Sequence, residues 1–210
     1  MRTALPTIRP CLPRWNTRWP ETRRPDVFHP IYAPLRLPED REALAGWLSA
    51  HPWPYHASGD IHFDEALRRI DNGGFSGGDQ ESYWIMGNEL RLGLIRVFDL
   101  DDIDDGNPML DLRLAESARG HGLGRQALEW LTGLMFQRYP RLQRLAGNTR
   151  DDNLAMQAVF RHCGYALEGR FREAWNCPDG SRRDSLYYGI LRREWERRRQ
   201  PDRSFWPSTA

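Results

Sequence analysis

Pro108-Met-Leu-Asp-Leu-Arg-Leu114, followed after four residues by Arg119-Gly-His-Gly-Leu-Gly-Arg125, decides the fold of this 210-residue chain. The first run alternates. Leu110, Leu112 and Leu114 point one way, and Asp111 and Arg113 the other. Period two predicts a strand with one apolar face. Beyond the glycines, Leu123, Ala127, Trp130, Leu131 and Leu134 fall on one helical stripe, with Arg125, Glu129 and Thr132 off it. Pro140 stops that helix. A strand therefore feeds a glycine-rich turn, and the turn feeds a helix N-terminus.

Such a turn predicts an anion site. Glycine lets backbone N–H groups approach a ligand closely, and the first N–H groups of a helix lack internal partners. The helix dipole adds positive charge at the same place, which suits a phosphate. Two common phosphate motifs do not fit. A P-loop needs a lysine after its last glycine, and every basic residue here is arginine. A dinucleotide fingerprint needs a third glycine, and that position is Arg125. What remains is Arg119-x-x-Gly122-x-Gly124.

Working outward, an apolar content of 40% is ample for one domain with tails. A net charge of +1 gives no polyanion signature, so nucleic acid is not an expected partner. Cys11, Cys163 and Cys177 form no Cys-x-x-Cys, so neither a zinc site nor a disulfide framework is expected. That usage fits a reducing cytoplasm. No run approaches 18 apolar residues, so no membrane span is expected. Residues 1–30 read as an extended Pro/Arg-rich arm, residues 31–195 as the folded domain, and residues 196–210 as a tail. Trp15 and Trp19 on the arm make a homodimer conceivable.

Before the central stretch, Ala33–Leu37 reads as a strand, and a helix runs from Pro38-Glu39-Asp40 to about Ala50. His51-Pro-Trp-Pro-Tyr-His56 cannot be helical. It reads either as an aromatic wall of an acceptor pocket, with Trp53, Tyr55 and a titratable His56, or as a stiff loop whose rings cover the core. Asp64–Ile70 is a second helix. Gly74-Phe-Ser76-Gly-Gly78 matches a nucleophile-elbow pattern, but a helix precedes it and a polar run follows. Ser82–Met86 and Glu89–Phe98 form a hairpin. The acidic loop Asp99–Asp105 departs from the calcium-loop pattern and reads as a solvated rim that attracts a cationic acceptor.

After the central stretch, Leu142–Asn148 is a strand and Asp151-Asp152-Asn153 caps a helix to Cys163. Ala155, Val159 and Cys163 share a face of that helix, which reads Cys163 as a buried apolar residue rather than a nucleophile. Tyr165–Asn176 and Arg183–Leu191 are two further strands, and Arg192–Arg199 is a basic helical end.

The loop Arg119-x-x-Gly122-x-Gly124, the asparagine-led helix ending in Cys163-Gly164-Tyr165, and the order of elements over residues 33–195 together resemble the GNAT N-acetyltransferases. Glu168–Arg172, Asp179-Gly180 and Asp184–Tyr188 are similar to the branch that acetylates ribosomal-protein N-terminal amines. The resemblance implies an α/β GNAT fold: a mixed, mostly antiparallel sheet of about seven strands, flanked by helices and splayed between its fourth and fifth strands. It implies acetyl-coenzyme A as co-substrate. Backbone N–H groups of Gly120, His121, Gly122, Leu123, Gly124 and Arg125 would hold the pyrophosphate, with Arg119 anchoring the turn. Leu112 and Leu114 would hydrogen-bond the pantetheine arm, and Asn148 and Asn153 would line it. Two departures stand out. The position of the usual acid tyrosine is Phe160, and that of a frequent serine is Met156.

Acyl transfer to an amine needs a neutral nitrogen, a polarised carbonyl and alignment. Asp111 is the first candidate for the base, unless an ion pair with Arg113 or Arg144 holds it charged. His56 and Glu81 follow, and Tyr187 or Tyr188 could supply a proton. The acceptor is an amine, either a protein N-terminus or a small molecule. A serine hydrolase through Ser76 and a non-catalytic acyl-coenzyme A-binding module are the alternatives.

Overall fold

The computed structural model describes residues 29–56, 59–101, 103 and 107–199. The tryptophan-bearing arm, Cys11, the tail from Gln200, and Asp102, Asp104 and Asp105 of the acidic loop lie outside the described residues. Strands β1 (Ile31–Pro34), β2 (Glu81–Gly87), β3 (Leu90–Phe98), β4 (Met109–Leu114), β5 (Arg144–Arg150), β6 (Ala166–Asn176) and β7 (Arg182–Leu191) form one sheet in the order β1-β2-β3-β4-β5-β7-β6. Helices α1 (Arg41–Ser49) and α2 (Phe63–Asp71) follow β1, α3 (Leu123–Arg138) follows β4, α4 (Leu154–His162) follows β5, and α5 (Arg192–Arg199) ends the described chain.

All neighbouring strands are antiparallel except β4 and β5, which are parallel. That pair is joined only at Met109↔Ala146 and Leu110↔Gly147. Beyond Leu110 the β5 side of β4 has no strand partner among the described residues, so the sheet is splayed between its fourth and fifth strands as expected. A gap in a ladder leaves backbone donors and acceptors that an extended ligand can pair with.

Alternation puts helices on both faces of the sheet. On β2, Tyr83 meets Trp130 of α3 with ring centroids 4.9 Å apart, while the next residue, Trp84, meets Trp47 of α1 at 5.6 Å. Carried across the ladder, Asp111 pairs with Arg96, and Arg113 with Leu94. The polar side of β4 therefore faces the α1 side, and its leucines face α3 and α4.

Three local expectations are corrected. The first strand begins at Ile31 rather than Ala33 and ends at Pro34, because its antiparallel ladder with β2 spans Met86 to Tyr83. The fifth strand is Arg144–Arg150, two residues later than read, because its ladder with β7 runs on to Arg150↔Ser185. Thr132 is not on a solvent face. It is 2% exposed, and its Oγ1 bonds the Leu128 carbonyl (2.7 Å) and the Tyr165 hydroxyl (2.8 Å). α3 is covered by α4 and α5 as well as by the sheet, and Phe136 packs against Trp195 at 5.3 Å. A single stripe underestimates a helix enclosed on several sides.

Candidate active site

At the end of β4 the chain makes a short 3-10 turn, Glu116–Ala118, and enters the glycine loop. Gly120 (φ 81°) and Gly122 (φ 77°) both take the left-handed conformation that a side chain resists. Gly122 is the N-cap of α3, and neither glycine has an atom within 4 Å of where a Cβ would stand. The loop is thus an open cradle of backbone at a 16-residue helix's N-terminus.

Arg119 does not reach into the cradle. Its Nε donates to the Leu114 carbonyl (3.1 Å) and its Nη2 to the Pro52 carbonyl (3.0 Å). These two bonds tie the turn to β4 and to the aromatic loop. Arg150, at the end of β5, donates from Nη1 to the Pro54 carbonyl (2.9 Å) and lies 5.2 Å over the Tyr55 ring. The 51–56 segment is therefore fastened across the mouth of the splay from both sides. Trp53 is a core ring that also reaches the cavity. It is 1% exposed, donates from Nε1 to the Leu48 carbonyl (2.7 Å), and still lines the cavity beneath.

That cavity has a volume of about 310 Å³. Arg119, Gly120, Gly122, Leu123, Gly124 and Arg125 of the glycine loop line it, with Leu112, Leu114 and Asn153 and with Trp53, Tyr55 and His56 of the aromatic loop. His121 and Asn148, both expected coenzyme contacts, do not line it, nor do Asp111 and Tyr187. Asn148 donates to Ser185 Oγ at 3.2 Å. Asn153 caps α4, accepting from the Met156 N–H at 3.1 Å and donating to Thr149 Oγ1 at 3.0 Å. Ala155, Met156 and Val159 form the α4 wall. Ala155 and Val159 belong to the helix face read as core, whose apolar character serves a cavity as well as it serves an interior. Of that face only Cys163 is buried; burial pushes its thiol up to about 12, away from nucleophilic use.

Behind His56 lies a partly buried charge cluster. His56 Nε2 is 3.0 Å from Asp111 Oδ1, while Asp111 Oδ2 takes Arg113 Nε at 3.1 Å and Arg96 Nε at 3.4 Å. Arg144, the other partner considered for Asp111, pairs instead with Glu168. Burial works against the Asp111 charge, but Arg113, His56 and Arg96 outweigh it and hold the carboxyl well below its usual range. For His56 burial is again the largest influence and lowers the imidazole pKa, helped by Arg113 and Arg96 and opposed by Asp111. An ionised carboxylate only accepts hydrogen bonds, so Nε2 carries the proton and Nδ1 the lone pair.

The remaining candidates stand apart. Phe160 is fully buried, stacked on Tyr188 at 4.8 Å and seated over Gly147, where an added Cβ would come within 2.8 Å of its ring. Tyr188 is therefore a core ring. Tyr187 packs on Phe171 at 4.6 Å, on the opposite sheet face. Glu81 accepts hydrogen bonds from the Tyr83 and Tyr139 hydroxyls and pairs with Arg138 at 2.5 Å, away from the cavity. Ser76 follows α2 and precedes a turn closed by the Gly77↔Gln80 bridge and then β2. A helix before and a strand after invert the order an elbow needs. Arg113 was not foreseen as a cavity residue, although its alternation with Asp111 on the polar face of β4 was the signal.

The family model described as an acetyltransferase (GNAT) domain matches residues 32–166. No curated protein matches the sequence. Among solved structures, the fold is similar to a spermidine N-acetyltransferase from Vibrio cholerae in complex with CoA and spermine (TM-score 0.65, 16% identity, 80% of this chain and 98% of that one). It is also similar to RimL, a ribosomal alpha-N-protein acetyltransferase in complex with coenzyme A (TM-score 0.55, 21% identity, 62% of this chain and 73% of that one). The splayed β4, the glycine cradle and the matched domain agree: this chain belongs to the GNAT acetyltransferases, enzymes that draw their acetyl group from acetyl-coenzyme A.

Proposed function

We propose that this protein moves an acetyl group from acetyl-coenzyme A to a primary amine by direct attack within a ternary complex, with His56 as general base. One observation carries this reading: a single cavity runs from the glycine cradle, along the unpartnered edge of β4, to His56. The backbone N–H groups of the Gly120–Arg125 turn would hold the diphosphate, and the β4 edge would hold the extended arm. The bound coenzyme supplies the activated thioester.

The chain's own residues supply the rest. The amine arrives mostly protonated, since its pKa lies near 8–10. His56 is neutral at pH 7 because burial lowers its pKa, so Nδ1 takes the amine proton directly or through one water. Asp111 fixes the tautomer and stabilises the imidazolium that forms. It acts as a positioning residue rather than as the base, because its own pKa is far too low to hold a proton at neutral pH. A coenzyme thiol of pKa near 8.5 departs without an acid tyrosine, which suits a core Phe160. The spermidine and ribosomal-protein enzymes among the structural neighbours are consistent with an amine acceptor.

The test has two parts. Titration calorimetry should show saturable coenzyme A binding, and a library of primary amines should then release free thiol from acetyl-coenzyme A. Binding without thiol release from any amine would leave the acyl-coenzyme A-binding module as the better account. A protein indifferent to coenzyme A would remove the whole reading.

A further inference from the structure

Resting on the amine-acetylation reading, we infer that the acceptor carries a carboxylate close to its amine, as an α-amino acid or an acidic peptide N-terminus does, and that Arg113 binds it. Arg113 is 8% exposed and lines the cavity beside His56. Its Nε donates to Asp111 Oδ2, and its guanidinium lies 5.5 Å over the Trp53 ring. Its Nη1 is buried with no hydrogen-bond partner among the described residues. Leaving a charged donor unmatched inside a protein is costly unless a ligand completes it.

The local charge points the same way. The cluster holds two guanidiniums, Arg96 and Arg113, against one carboxylate, Asp111, with a neutral His56. A partly buried surplus of positive charge, open to a cavity, calls for an anion. That anion is not the coenzyme diphosphate. The cradle sits at the α3 N-terminus, and Arg113 lies on the opposite face of the sheet, alternating with the leucines that face Gly124.

Distance fixes the class further. His56 and Arg113 grip the two oxygens of one carboxylate, at 3.0 and 3.1 Å. The base and the anion-binding fork are therefore neighbours. An amine and a carboxylate on the same residue, separated by roughly one to three carbons, fit that spacing. A polyamine brings a second cation to Arg113 instead, and repulsion disfavours it.

The experiment compares matched acceptors by thiol release from acetyl-coenzyme A: an amino acid, its carboxamide, the corresponding simple amine, and spermidine. Dipeptides beginning with Asp or Glu form a separate arm, which distinguishes a free amino acid from a peptide N-terminus. In the intact protein kcat/KM should favour the carboxylate partner of each pair by about ten- to hundredfold. In Arg113→Gln that ratio should collapse to within about twofold, mostly through KM. In Arg113→Lys, which keeps the charge and loses the fork, it should fall between the two. A folding defect would scale all acceptors together and leave the ratio alone. Equal use of carboxamide and carboxylate, or a preference for spermidine, overturns the inference while leaving amine acetylation intact. A carboxylate preference that survives in Arg113→Gln removes Arg113 from the assignment. Thiol release from no amine at all fails the underlying reading, and the inference falls with it.

Discussion

The two ends of the cavity are built in opposite ways. The coenzyme end is local: residues 119–125 supply the turn and its backbone groups, and a helix N-terminus supplies the field. The acceptor end is assembled across the chain. His56 comes from a loop, Arg96 from β3, and Asp111 and Arg113 from β4. A site made of backbone tolerates changes of side chain and suffers from changes of conformation. A site made of paired side chains tolerates neither the loss of a partner nor a change in its charge.

The largest expected effect breaks the acceptor end. Asp111→Asn leaves Arg96 and Arg113 without their anion, and removing one partner of a buried pair costs about 3–5 kcal/mol. Urea unfolding should show that loss at pH 7. Because the folded pKa of Asp111 lies below its unfolded value near 3.9, its stabilisation is fully present above that value. It is lost as pH falls through the lower folded pKa, so the variant should show a weaker acid dependence. A neutral effect would mean that the cluster is not coupled as the distances suggest.

His56→Gln can keep a bond to Asp111 but cannot accept a proton. It should lower kcat by about 10²–10³ with coenzyme A affinity unchanged. The intact protein's kcat/KM should rise with pH through an apparent pKa below 6.5, since burial depresses the imidazole, and that limb should vanish in the variant. A surviving limb would move the base elsewhere.

At the coenzyme end the expected losses are smaller and of another kind. Gly122→Ala places a side chain at φ 77° with open space around it, so it should cost about 1–2 kcal/mol from backbone strain alone. Weaker coenzyme A binding should accompany it, and the preference among amines should not move. Asn153→Ala removes the α4 cap and should cost about 1 kcal/mol, read as a lowered denaturation midpoint. If either variant altered acceptor preference more than coenzyme affinity, the division between the two ends would be wrong.

Legibility followed the same division. The strand, turn and helix around residues 108–138 were readable because their signals lie within one turn or one pleat of each other. So were the Asn153 cap and the glycine stop at Gly164 (φ 88°). Element ends were less readable where a ladder set them, as at Pro34 and Arg150. The α4 wall was harder still. Ala155 and Val159 make the same apolar pattern whether they face a core or a slot, and only the missing β5 partner beside β4 distinguishes the two.

By itself the sequence determined the α/β order, the glycine cradle and the lack of a tyrosine at position 160, because each depends on residues close along the chain. Only the tertiary structure decided that Asp111 is locked as an anion, that His56 turns Nε2 toward it, and that Arg113 Nη1 is buried with no hydrogen-bond partner among the described residues. Proton affinity and charge balance are set by burial and by neighbours that include Arg96 and His56, 15 and 55 residues from Asp111, and one-dimensional spacing carries neither.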